Sequence, residues 1–204
     1  GTGNSNADFP NGTSVYDGIS QVVSDGGGTI ILSTDGTYSG SRPDAAIVVY
    51  GETPYAEGAG DLSSLEYQPG SKTDLNILKS LKDQGIPIIS IFLSGRPLWV
   101  NAEINASDAF IAAWLPGSEG IGIADVIFTN NEETINYDFS GKLSFSWPNT
   151  PTQFNLNRYD ENYNPLLYYG FGLTYQYEDT LGDDLDESGS SDTNQPIMHC
   201  LLYT

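Results

Sequence analysis

The segment Ala45-Ala46-Ile47-Val48-Val49-Tyr50 is six consecutive apolar or aromatic residues that run straight into Gly51. A run so short and so uniformly apolar leaves no wet face, so it reads as a strand covered on both sides, the situation of a parallel sheet between helices. Ile86–Leu93 (IPIISIFL) and Ala109–Trp114 (AFIAAW) repeat the pattern. Between the first two runs the period changes: over about Lys72–Gln84, Leu75, Leu78 and Leu81 fall inward and Lys72, Lys79 and Lys82 outward, and Gly85 stops the helix. Strands alternating with helices predict an α/β fold, a three-layer sandwich with a mostly parallel sheet between helices.

Flanking segments extend this core. Thr13 or Ser14 caps a helix running to about Ser24, with Val15, Ile19, Val22 and Val23 on one face and Gly26-Gly27-Gly28 as its stop. Thr29–Leu32 reads as a short strand, Ser118 caps a helix through about Phe128, and Lys142–Ser146 reads as an alternating strand ahead of an aromatic run at Leu166–Tyr177. The expected organisation is a connecting segment at 1–13, one domain at 14–177, and an acidic linker or disordered tail at 178–204. The sequence opens on Gly1 rather than methionine, which fits a lost leader or an internal piece of a longer chain.

Charge narrows the partners. The 204 residues carry 27 acids against 7 Lys plus Arg, a formal charge of −20. Such a surface repels phosphate backbones and anionic lipid headgroups, so nucleic acid and membranes are not expected partners. One cysteine, Cys200, and one histidine, His199, cannot assemble a Cys/His zinc site, and no apolar stretch approaches the roughly 20 residues of a membrane span. No metal and no cofactor are expected. Residues 159–204 hold nine of the acids and no base, so much of the excess belongs to the end of the chain.

In a sheet of this class ligands gather at loops leaving the carboxyl ends of strands. The loop after Tyr50, GETPYAEGAGDLSSLEYQPG (51–70), is long and carries Glu52, Glu57, Asp61 and Glu66. A general acid needs mobility, partial desolvation and reach to a leaving-group oxygen, and Glu57, flanked by Ala56, Gly58 and Gly60, fits best. Spacing alone favours the plainer reading, four solvated loop acids. Arg96, in Ser94-Gly95-Arg96-Pro97 at another strand end, could bind a sugar hydroxyl or pair with Glu57 or Asp61; an ion pair is the simpler reading. Pro116-Gly117-Ser118-Glu119-Gly120-Ile121-Gly122 has neither the lysine of a phosphate loop nor dinucleotide spacing, so its glycines read as a turn and as tight helix–sheet packing. Trp99, Trp114 and Trp147 read as packing residues.

Five collinear segments, GETPYAEGAGD (51–61), IFLSGRPLWVN (91–101), AFIAAWLPGSEGIGIADVIF (109–128), YDFSGKLSFSWP (137–148) and YYGFGLTY (168–175), together resemble the C-terminal α/β-sandwich domain of glycoside hydrolase family 3, in its exo-β-glucanase and β-glucosidase branch. The resemblance implies a retaining glycosidase that removes terminal β-D-glucosyl residues from a β-glucan or β-glucoside without metal. It also implies a partner domain, a (β/α)8 barrel that carries the aspartate nucleophile and has no counterpart in this sequence. Carried onto this chain, the acid/base is Glu57, with Glu52, Asp61 and Arg96 supporting its loop. The family context implies a periplasmic or secreted setting. The alternative is a carbohydrate-binding or interaction module that has lost its barrel.

Overall fold

The computed structural model describes residues 6–130, 132, 134–176, 181 and 184–190. Three strands, β1 (Ala46–Gly51), β2 (Ile88–Leu93) and β3 (Ala109–Trp114), form one parallel sheet in the order β1-β2-β3. Register runs from Ala46 opposite Ile88 to Gly51 opposite Leu93, and shifts at Phe92/Leu93 on the β3 side. Helices α2 (Thr73–Asp83) and α3 (Asn101–Asn105) make the two crossovers. Helices α1 (Val15–Asp25) and α4 (Ile121–Ile127) pack together.

Strand alternation explains the layers. In β1 and β3 the even-numbered residues Ala46, Val48, Tyr50, Phe110, Ala112 and Trp114 share one face with Ile88 and Phe92 of β2, and they meet Leu75, Leu78 and Leu81 of α2. Ile47, Ile91, Leu93, Ile111 and Ala113 face the other way, onto Ile19 of α1 and Ile123 and Ala124 of α4. Leu78 and Ile88 are fully buried, so truncating either to alanine costs about 2–5 kcal/mol. Only the central strand is covered as the apolar runs predict. β1 is half-buried and Val49 is 40 % exposed, because among the described residues β1 is an edge of the sheet.

Helix α1 begins as expected. Ser14 Oγ accepts from the Asp17 N–H while the Asp17 carboxylate accepts from the Ser14 N–H, a reciprocal cap that satisfies two donors at the helix start. The glycines near α4 permit close helix approach. A Cβ on Gly120 would lie 2.3 Å from the backbone of Ser14, and one on Gly18 would lie 2.6 Å from that of Ile121. The tight contact is therefore helix on helix, not helix on sheet as the glycines suggest in sequence.

Several expected elements differ. Thr29–Leu32 is irregular, with Ile31 and Leu32 exposed, because it finds no strand to pair with among the described residues. Lys142–Ser146 is not a regular strand. Leu143 and Trp147 instead exchange four backbone hydrogen bonds with Leu166, Leu167, Gly170 and Phe171, an open antiparallel contact. The short α3 carries no sequence signal, since five residues are too few to display a helical period. Lys72, expected on the outer face of α2, precedes the helix in a left-handed conformation (φ 49°) and turns inward to a buried carboxylate, Glu66, at 2.5 Å.

The acidic segment also departs from the expectation. Its residues 184–190 are held against α3: Asn105 Nδ2 donates to Leu185 O and Glu187 Oε1, Asn105 Oδ1 accepts from the Leu185 N–H, and Asn101 Nδ2 donates to Asp186 O. Leu181 and Leu185 pack on the core, and Ser190 Oγ donates to Glu66. For these residues a docked strap replaces the expected linker or disordered tail. Two leucines and two helix-borne amides suffice to anchor it. His199 and Cys200 lie outside the described residues.

Candidate active-site loop

The parallel register brings the carboxyl ends of all three strands to one edge. Gly51 sits opposite Leu93, the Glu52 N–H donates to Leu93 O, and the Ser94 N–H donates to Trp114 O. The residues that follow β1 and β2 are therefore neighbours although they stand far apart in sequence, and this is why Glu52 and Arg96 meet. Arg96 Nε donates to Glu52 Oε1 at 2.9 Å and Nη2 lies 2.8 Å from the same oxygen. The Gly95 N–H reaches the other carboxylate oxygen at 3.4 Å.

The remaining edge of the guanidinium grips the loop itself. Arg96 Nη1 donates to Gly60 O, and its central carbon lies 4.1 Å above the centroid of the Tyr55 ring. Tyr55 in turn is seated on Gly60, where a Cβ would approach the ring to 2.5 Å. One planar cation thus ties the loop's entry at Glu52, its aromatic residue and its exit at Gly60, a combination that lysine could not make. Arg96 and Glu52 are largely buried, at 24 % and 11 % side-chain exposure, so their pairing is less screened than a surface ion pair.

Glu57 lies at the tip of the strapped loop. It opens a 3-10 turn, Glu57–Gly60, closed by the Ala59 N–H to Ala56 O and the Asp61 N–H to Gly58 O. Its backbone is left-handed (φ 48°), a conformation that costs a non-glycine residue about 1–2 kcal/mol and that the surrounding structure must hold. The side chain is exposed, and its carboxylate takes no hydrogen bond or ion pair from the described residues. Of the four loop acids, Glu52 is consumed by Arg96, Glu66 by Lys72 and Ser190, and Glu57 alone combines a fixed backbone with a carboxylate free of the described residues.

Two of the sequence-based expectations change here. Arg96 pairs with Glu52, not with Glu57 or Asp61, because the strand register sets Glu52 beside it. Asp61 supports the turn through its backbone N–H while its carboxylate faces solvent, so its side chain does not orient the loop. Tyr55 has no place in the sequence reading. Only its position between Arg96 and Gly60 reveals it, and a tyrosine in a loop carries no such signal in sequence. Trp99 and Trp147 are buried, and Trp114 packs against Trp147 with ring centroids 5.9 Å apart and planes tilted by 54°, so all three pack as expected.

A second cluster of ionisable groups lies within the layer between α2, α3 and the strap. Glu103 of α3 is 2 % exposed, and burial pushes its carboxyl up to about 7, with the nearby Lys72 ammonium opposing the rise and Glu66 and Glu187 adding to it. One of its oxygens has no hydrogen-bond partner among the described residues. Burial likewise raises the Tyr50 and Tyr67 phenols, and Tyr67 donates to the Asp74 carboxylate. Among the described residues no group of His, Cys, Asp and Glu is arranged to hold a metal ion.

The family model of the glycosyl hydrolase family 3 C-terminal domain matches residues 1–177, and the chain belongs to that family. It is similar to the exo-1,3/1,4-β-glucanase of a Pseudoalteromonas species, at 55 % identity and a TM-score of 0.89 over 93 % of this chain and 23 % of that one. A lysosomal β-glucosidase of Dictyostelium discoideum is 30 % identical over 83 % of this chain and 22 % of its own length. A periplasmic β-glucosidase of Salmonella typhimurium is 28 % identical over 57 % and 18 %. The chain thus spans less than a quarter of these relatives.

Proposed function

We propose that this domain supplies the acid/base of a retaining, exo-acting β-glucosidase or β-glucanase, and that Glu57 is that residue. The observation that carries the reading is the exposed Glu57 carboxylate, without a partner among the described residues, on a strained turn that Arg96, Glu52, Tyr55 and Gly60 hold at the carboxyl edge of the sheet. The nucleophile belongs to a (β/α)8 barrel outside this sequence. Retaining hydrolysis needs two carboxyls about 5–5.5 Å apart on either side of the glycosidic bond. A side chain presented outward from a fixed loop can meet that spacing across a domain boundary.

In the first step the Glu57 carboxylic acid gives its proton to the glycosidic oxygen as the barrel aspartate bonds to the anomeric carbon and the glycosidic C–O bond breaks. In the second, the Glu57 carboxylate takes a proton from water while that water's oxygen attacks the same carbon. The bond to the aspartate breaks and glucose leaves. Relatives named as β-glucosidases and an exo-β-glucanase support the substrate class, and a periplasmic and a lysosomal relative support a setting outside the cytoplasm, as a periplasmic or secreted enzyme.

The test joins the chain to a family 3 barrel and compares Glu57→Ala with the parent. The variant is expected to lose about 10²–10⁴-fold in rate on β-glucan oligosaccharides, and to recover turnover of an activated aryl β-glucoside when azide is added, with a glycosyl azide as product. Equal rates on the natural substrate with no azide product would refute the assignment.

A further inference from the structure

The loop that carries Glu57 is fixed at its base as well as at the Arg96 clamp. Tyr67, 3 % exposed, sends its hydroxyl back to the loop's entry, 2.9 Å from Gly51 O and 2.5 Å from Asp74 Oδ2, and its single proton serves both acceptors. Asp74, in the first turn of α2, is itself held by Gln68, whose Nε2 donates to the same carboxylate oxygen and whose Oε1 accepts from the Asp74 N–H. Entry, exit and the start of α2 therefore meet at one phenol. The proposed chemistry makes no use of this closure.

The exit is pinned on its other side by backbone bonds. The Leu65 N–H donates to Pro151 O, Leu65 O accepts from the Trp99 N–H, and the Tyr67 N–H donates to Trp99 O. Between Leu65 and Tyr67 the Glu66 side chain turns inward to Lys72 Nζ and Ser190 Oγ. The strap rests on the same supports: a Cβ on Gly189 would lie 2.7 Å from the Pro151 ring and 3.6 Å from the Trp99 ring. Replacing a buried ion pair by apolar residues often costs nothing, and the best-attested use of such a pair is to fix register. Register matters here, because a slip of one residue along Trp99 would turn Tyr67 away from Gly51.

We infer that the strap at 184–190 positions the loop that bears Glu57: its contacts hold Glu66 and Trp99 in register, which keeps Tyr67 on Gly51 and so keeps the Glu57 turn in place. Glu66 and Tyr67 are positioning residues, acting on the chemistry only through the loop. The link to catalysis rests on the proposed function; the mechanical link from strap to loop does not. The strap lies outside the helices and strands, and Asn101 and Asn105 hold it by its backbone, so its grip can be weakened without touching the sheet. Glu57 keeps a left-handed φ of 48° that only its surroundings sustain, so a loop freed at its base loses that turn first.

Two variants test this: Asn105→Asp, which sets a negative charge against Leu185 O and Glu187, and Tyr67→Phe, which removes only the hydroxyl. In the 204-residue chain, amide hydrogen exchange at Ala59 and Asp61, whose N–H groups close the Glu57 turn, is expected to quicken about tenfold or more in both variants, with Gly18 of α1 unchanged. In the barrel-linked enzyme both are expected to lose about tenfold in kcat/KM on laminaribiose. The loss on a dinitrophenyl β-glucoside, whose leaving group departs without a proton, is expected to stay below about twofold. A merely structural defect would lower both substrates alike. Unchanged exchange at Ala59 and Asp61 in either variant, or exchange that quickens equally at Gly18, overturns the link from strap to loop. Equal losses on the two substrates overturn the positioning role. Glu57→Ala is the benchmark: if it shows no contrast between the substrates the proposed function fails, whereas faster exchange in the two variants still upholds the link.

Discussion

Glu57 and Glu103 are two carboxylates of one small domain in opposite circumstances. Glu57 is exposed, its backbone is strained, and the structure around it fixes the loop and leaves the carboxylate alone. Glu103 sits in relaxed helix, is almost fully buried, and is pushed up to about 7 by the loss of water. A perturbed carboxyl is a common sign of an active site, but here it marks packing. Glu103 lies beneath a strap held by Asn101 and Asn105 and next to the Lys72–Glu66 pair. On the proposed function, the acid that meets a substrate held by another domain is the one whose environment is incomplete.

The sharpest break of the buried side of this comparison is Lys72→Met. It removes the cation paired with Glu66, and leaving a carboxylate without that partner at 2 % exposure costs about 3–5 kcal/mol. Urea unfolding near neutral pH should show the loss, with Glu66→Gln added to Lys72→Met recovering part of it.

Next in size is a pH effect. A carboxyl whose folded value lies near 7 and whose unfolded value lies near 4.5 binds more protons when folded between those limits. Its contribution is fully present below about 4.5 and is lost as pH rises through about 7. Glu103→Gln should flatten this loss, gaining on the order of 2–3 kcal/mol relative to the parent between about pH 4.5 and about pH 8. Thermal midpoints across that range check it; parallel curves for parent and variant would show that folding does not shift the Glu103 carboxyl.

On the exposed side, Arg96→Lys keeps the charge and loses the fork that joins Glu52, Gly60 and the Tyr55 face. In the barrel-linked enzyme kcat is expected to fall about tenfold, with less than about 2 kcal/mol lost in folding. The smallest effect is a gain. Glu57→Gly suits the left-handed turn and should stabilise the domain by up to about 1 kcal/mol while removing activity.

Much of the frame is legible in sequence because it depends on local pattern. Three apolar runs form three parallel strands, Ser14 forms a helix cap, and Leu75, Leu78 and Leu81 form the buried stripe of α2. What sequence does not show requires contacts between distant residues. Lys72 has the sequence signature of an outward helix residue, and only the fold carries Glu66 to it. Arg96 is recognisable as important, but its partner follows from a strand register that composition does not encode. The strap at 184–190 has the composition of solvent-loving sequence because its anchors are backbone groups meeting Asn101 and Asn105. Glu57 itself stands out by its flanking small residues and by the family resemblance; its left-handed backbone and free carboxylate are visible only in three dimensions.

One experiment sets the two carboxylates directly against each other: Glu57→Gln and Glu103→Gln are made in the barrel-linked enzyme, and kcat/KM on laminaribiose is compared with the free energy of unfolding. Glu57→Gln is expected to lose at least about 100-fold in kcat/KM with stability near that of the parent, while Glu103→Gln keeps its rate and changes how stability varies with pH. An active Glu57→Gln enzyme together with an inactive but folded Glu103→Gln enzyme would contradict this assignment, and would make the buried carboxyl the functional one.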